Sequence, residues 1–233
     1  MEKPRVKWVF QEGIAEVMLC RGDKLNALDR AMFDAIDETL NALSRQKGLR
    51  AVILHGEGRA FCAGLDVKSM LRQPVAALEI LKREADEATN LAQRVAYGWH
   101  QLPVPVIAVT QGVCFGGGLQ IALGADFRFS TPDCRFSVME IKWGIIPDMS
   151  GSVTMRNLMG LDTAMELAMS GRELDAVEAK SLGLVSRVCA DPLVEAREFA
   201  RTLITKSPDA LAGIKQLYSQ AWARSDEAML KEE

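Results

Sequence analysis

The apolar residues change period early and repeatedly, and that switching limits the folds open to the chain. Val6, Trp8 and Phe10 alternate at period two, Gln11-Glu12-Gly13 supplies a turn, and residues 14–19 resume, which predicts a strand hairpin. From Asp29 the period becomes helical. Met32, Phe33, Ile36, Leu40 and Leu43 form one stripe, and Gly48 stands where such a helix stops. Residues 51–54 read as a buried strand closed by Gly56-Glu57-Gly58, with a loop over 61–66 behind it. Residues 75–99 predict one long helix carrying Leu78, Leu81, Ala85, Ala88 and Leu91 on one side. A strand over 104–110, a glycine-rich turn over 112–118 and a short helix over 119–124 follow. Brief strands at 126–130 and 135–137, two or three helices within 150–182, a last strand over 184–189 and helices over 192–206 and 208–224 complete the order. Such alternation defines an α/β fold with buried strands. The tail after Asp191 is expected to dock on the body or on a neighbouring subunit.

Composition removes several functional classes. Of the 233 residues, 48% are hydrophobic and 25% charged, as in folded globular domains, which excludes a disordered chain. Lys plus Arg is 28 and Asp plus Glu is 31, so the net charge is 28 − 31 = −3, and no broad basic face for nucleic acid is expected. The five cysteines are odd in number and form no C-x-x-C pair, which predicts reduced thiols and a cytoplasmic location. The two histidines, His55 and His100, lack zinc-site spacing, so no metal is expected. Residues 1–5 lack an apolar signal core, and no run of about 18 apolar residues predicts a membrane span.

The strongest local motif is Gly112-Val113-Cys114-Phe115-Gly116-Gly117-Gly118-Leu119-Gln120, a strand, a glycine turn and a helix start. That geometry aims backbone N–H groups at an anion, and it equally permits tight helix–strand packing. It is neither a Walker A loop nor G-x-G-x-x-G. The loop Phe61-Cys62-Ala63-Gly64-Leu65-Asp66 also follows a buried strand. Two such loops can make an oxyanion hole, although spacing alone does not pair them.

These motifs occur in one order with Lys24-Leu25-Asn26-Ala27-Leu28 before them and Phe136-Ser137-Val138-Met139-Glu140 through Gly144-Ile145-Ile146-Pro147 after them. Over nearly its whole length the chain resembles the crotonase (enoyl-CoA hydratase/isomerase) superfamily. The resemblance implies a crotonase-like superhelix of β-β-α turns over 1–190 and a helical trimerisation region over 191–233. It implies a homotrimer or dimer of trimers acting on an acyl-CoA, with the coenzyme A thioester as substrate and no separate cofactor. It assigns the backbone N–H groups of Leu65 and Gly117 to the oxyanion hole. Ala63 and Asp66 would line the adenine pocket, and Lys24, Leu25 and Ala27 would border the pantetheine and phosphate path.

Hydrating members of the superfamily carry two glutamates, and the matching positions here are Gln120 and Glu140. An amide cannot serve as a general base, whereas Glu140 can if burial raises its pKa. One base suffices to move a double bond, so enoyl-CoA isomerisation is the leading expectation. A hydratase or hydratase-lyase using Glu140, with Gln120 positioning water, is the second. A non-catalytic acyl-CoA-binding homologue is the third. Asp148 matches an aspartate of dienoyl-CoA isomerases and is expected either to shuttle a proton or to be an N-cap or loop residue before the helix at Ser150.

Several residues carry lesser expectations. Cys62 and Cys114 read as packing rather than as nucleophiles, and His100 as a helix-end cap. Trp143 and Met139 read as acyl pocket or core, and Met155, Met159, Met165 and Met169 as core. The chain stops earlier than most relatives, so a shortened or missing final helix is expected.

Overall fold

The computed structural model describes residues 3–72, 74–83, 85–221 and 223–232, with the backbone alone at Ala76 and Ala77. Met1, Glu2, Glu84, Trp222 and Glu233, on which parts of the expectations fall, lie outside the described residues, as does Gln73. The strands are β1 (Val6–Gln11), β2 (Ile14–Leu19), β3 (Ala51–Gly56), β4 (Val106–Thr110), β5 (Val113–Phe115), β6 (Phe127–Ser130), β7 (Arg135–Ser137) and β8 (Arg187–Val188). The helices are α1 (Arg30–Ser44), α2 (Val67–Arg72), α3 (Pro74–Glu79), α4 (Leu91–Gln101), α5 (Gly117–Leu123), α6 (Gly151–Met155), α7 (Leu161–Ser170), α8 (Ala176–Ser181), α9 (Pro192–Ile204), α10 (Pro208–Ala221) and α11 (Asp226–Glu232).

The long sheet runs β1-β2-β3-β4-β6-β8. Only β1 and β2 pair antiparallel, with Val6 opposite Leu19; the other neighbours are parallel. All five residues of β4 are buried, as a central parallel strand covered on both faces requires. A second, shorter layer is built from β5 and β7, extended by single bridges Leu28–Leu65, Cys62–Cys114 and Phe136–Leu174. Each turn gives a strand to the long sheet and a short stretch to the second layer before a helix follows. This is the superhelix of β-β-α turns expected from the resemblance.

Helices close both faces. Asp29 caps α1 by accepting the Met32 N–H at 2.9 Å, and the buried stripe Met32, Phe33, Ile36, Leu40 and Leu43 enters the main core with Val52, Leu54 and Trp99. On the opposite face, Ala196 and Ala200 of α9 pack with Ile53, Val109 and Phe129. The tail therefore docks first on its own body.

The single helix expected over 75–99 is two helices. Asn90 accepts the Gln93 N–H at 2.8 Å, while the Gln93 side chain accepts the Asn90 N–H at 3.1 Å. This capping box starts α4 afresh. Leu78 and Leu81 are exposed, so their stripe has no core to enter. The last strand is shorter than 184–189, since only Arg187 and Val188 pair with β6. The methionine stripe is only partly core. Met155 is buried, but Met165 and Met169 are 44% and 65% exposed. Leu167 is the buried residue of α7, and residues two positions away on a helix point to its other side. A third closing helix, α11, follows the two that the sequence predicts.

Candidate active site

Three loops meet where the short layer ends. Leu28 donates its N–H to Gly64 O at 2.8 Å, and Asp66 donates to Leu28 O at 2.9 Å. That bridge leaves Leu65's own N–H on the opposite edge. Gly117 is the first residue of α5, so its N–H has no acceptor one helical turn back. Between them, a Cβ on Gly64 would lie 2.8 Å from Phe115 O and 3.6 Å from Gly117 N. The two loops thus touch through a glycine that also has φ +86°.

Glu140 stands beside this junction. It opens a 3-10 turn over Glu140–Trp143, and a Cβ on Gly116 would lie 3.5 Å from its Oε1. Glu140 is 6% exposed. Burial pushes its carboxyl above the ordinary range, and the charge of Asp148 adds to that rise. Its Oε2 is buried with no hydrogen-bond partner.

Gln120, one turn into α5, is fixed on both sides of its amide. Its Oε1 accepts the Met149 N–H at 2.9 Å and the Gly151 N–H at 2.8 Å. An amino group there would face two donors, so the amide orientation is unambiguous. Nε2 therefore points at Glu140 and donates to its Oε1 at 2.6 Å. The side chain bridges the 147–151 loop to Glu140 and leaves Oε2 as the carboxyl's unengaged atom. Asp148 is a turn residue before α6 and not its cap. Ser150 occupies the N-cap position of α6 and makes no side-chain cap bond. The Asp148 carboxyl is likewise raised by burial.

A cavity of about 570 Å³ opens beside these loops. Lys24, Ala27, Ala63, Leu65 and Asp66 line it, together with Trp143. Leu25 holds the wall from behind, accepting the Ala63 N–H at 2.9 Å. Trp143 is 60% exposed, which removes the core reading for it. Cys62 and Cys114 are buried. Burial pushes the Cys62 thiol up to about 12 and Cys114 well above its usual value, so both pack rather than react. The glycine run also packs tightly, since a Cβ on Gly118 would lie 2.6 Å from Cys62 O.

Sequence reasoning overlooked Arg21 and the structural task of Asn26. Asn26 is fully buried. It accepts the Arg21 N–H at 2.8 Å and donates to Glu57 O at 3.0 Å and Ala60 O at 2.9 Å. Arg21 reaches Asp66 at 2.8 Å and Ala27 O at 2.8 Å. The signal for Asn26 was a single amide inside Leu25-Asn26-Ala27-Leu28. Arg21 had none, because its partners are 6 and 45 residues away. Among the described residues, no group of three or more His, Cys, Asp or Glu could hold a metal ion, and no helix is long and apolar enough to cross a membrane.

A wound β-β-α core with two loops and a buried carboxyl at their junction defines a class, and the comparisons place the chain within it. The family model described as enoyl-CoA hydratase/isomerase matches residues 9–233. The chain belongs to the enoyl-CoA hydratase/isomerase family. It is similar to an enoyl-CoA hydratase from Bacillus anthracis at 27% identity and TM-score 0.86, over 98% of this chain and 87% of that one. An enoyl-CoA hydratase from Thermoplasma volcanium GSS1 matches at 26% identity and TM-score 0.88, over 99% and 89%. One from Polaromonas sp. JS666 matches at 29% identity and TM-score 0.85, over 97% and 88%.

Proposed function

We propose that the chain isomerises the double bond of an enoyl-CoA, with Glu140 as the single base. The observation that carries this reading is the fixed amide of Gln120, which leaves one carboxyl oxygen, Glu140 Oε2, unengaged at the loop junction. The thioester oxygen accepts the N–H groups of Leu65 and Gly117. Oε2 takes a proton from the carbon next to the thioester carbonyl of a 3-enoyl chain. The electron pair moves onto the thioester oxygen, where each amide donor contributes about 3–4 kcal/mol of transition-state stabilisation. The same carboxyl then returns the proton to the γ-carbon, which leaves a 2-enoyl thioester. The raised pKa of Glu140 suits both halves of this transfer, because a base must also give its proton back.

Lys24, Ala27, Ala63 and Asp66 hold the coenzyme A portion in the cavity they line, with Leu25 behind them, and the thioester is substrate rather than cofactor. Asp148 acts through its charge on Glu140. By the same resemblance the protein works as a homotrimer or dimer of trimers, and mass photometry reading a lone subunit would sink that part.

A second reading has one observation in its favour: the similar structures above are enoyl-CoA hydratases. In that reading Glu140 Oε2 activates water. Supplying 3-enoyl-CoA and 2-enoyl-CoA separately decides between them. Isomerisation predicts bond migration without water uptake, and Glu140→Gln lowers it at least a hundredfold while thioester binding persists. Full activity in that variant on every enoyl-CoA tested excludes both readings.

A further inference from the structure

A second cavity, of about 500 Å³, lies away from the loop junction, at the C-terminal end of α5 and beneath α10. Most of its wall is apolar, with Leu123, Leu211 and Ile214 among the contributors. Its volume falls within the range of small-molecule sites. Into this apolar space the chain places Arg128, 4% exposed.

Arg128 has no carboxylate within 4.0 Å among the described residues. Its Nε donates to Leu184 O at 2.7 Å and its Nη1 to Ala125 O at 2.6 Å. Neutral carbonyls orient a guanidinium but do not cancel its charge, and a buried charge without a counter-ion is costly. Nη2 has no acceptor among the described residues. Asp126 attracts Arg128 without touching it, but its carboxylate is in contact with Lys215 Nζ at 2.8 Å and the Val106 N–H at 2.7 Å, so one acid faces two buried cations. Burial pulls Arg128 down only to about 10, so it stays charged at neutral pH. Asn157 lines the same cavity, and its Oδ1 is buried without a partner. No described contact fixes that amide, so it is free to turn its amino group toward an anion.

We infer that this cavity binds an apolar molecule with a carboxylate head, a fatty-acid-like ligand, whose carboxylate meets Arg128 and the Asn157 amide while its chain lies against α5 and α10. The inference does not rest on the proposed reaction. Its observations are a buried cation with no acid in contact, an unsatisfied amide and apolar walls, all on one cavity.

Calorimetric titration of the full chain with octanoate, 1-octanol and acetate tests it. The expected result is saturable octanoate binding at one site per chain, at least tenfold tighter than either 1-octanol or acetate. Ile214→Trp, which fills the cavity from a residue 54% exposed on α10, should weaken octanoate at least tenfold with the circular dichroism spectrum unchanged. Arg128→Met should erase the preference for octanoate over 1-octanol; if it fails to fold, Ile214→Trp still carries the test. No octanoate binding, equal binding of 1-octanol, equal binding of acetate, or displacement of octanoate by a CoA thioester would each overturn the proposal.

Discussion

Glu140 is held in two opposing ways. Burial and the charge of Asp148 push its pKa up, while hydrogen bonds from its own backbone N–H and from Gln120 pull it down, and burial wins. The resulting pH dependence has a definite sign. Turnover by an ionised base rises as pH passes through the Glu140 pKa, so the acid limb of kcat/KM should lie above the ordinary glutamate value of about 4.3. Asp148→Asn removes a like charge and should move that limb to lower pH; an unmoved or higher limb would refute the electrostatic role. The same shift has a stability cost. A carboxyl with a folded pKa above its unfolded one stabilises the fold fully below the unfolded value and loses that contribution as pH rises through the folded value. Glu140→Gln should therefore raise Tm at pH 8 and leave it nearly unchanged at pH 4, as differential scanning calorimetry would record.

At the scale of elements, the site depends on how closely two loops approach. Gly64 has a positive φ and no room for a Cβ beside Phe115 O. Gly64→Ala therefore combines backbone strain with a steric clash, each worth about 1–3 kcal/mol. The loops would have to separate, and the separation should fall on kcat, by at least tenfold, more than on KM. A variant with unchanged kcat would show that the loop junction does not serve the reaction. The break between α3 and α4 teaches the complementary lesson. Hydrophobic spacing over 75–99 fits one helix, but Asn90 and Gln93 satisfy each other's backbone groups and outcompete continuation. The motif Asn90-x-x-Gln93 was readable in the chain, whereas the exposure of Leu78 and Leu81 was not.

At the scale of the molecule, one sheet divides two apolar layers. The larger contains α1, α4 and α5, and the smaller seats α9. Ala200 is fully buried in the smaller layer, far in sequence from every site residue. Ala200→Asp would bury an unpaired carboxylate at a cost of about 3–5 kcal/mol. For a chain this long that corresponds to a Tm loss of roughly 10 °C. The folded fraction should retain the wild-type acid limb, because the substitution changes the far face alone. A Tm loss of under 2 °C would mean that α9 is not part of the cooperative core.

The strand–helix order, the capping of α1 at Asp29 and the two glycine loops were determined by local patterns, because periodicity, caps and turns act between residues a few positions apart. The meeting of those loops, the bridge from Gln120 to the 147–151 loop and Glu140, and the burial of Arg128 with no acid in contact were decided only by the tertiary structure. Hydrogen bonds of 2.6–2.9 Å between residues 20 to 31 positions apart leave no periodic trace, and whether a buried charge has a counter-ion depends on which strands the fold sets side by side.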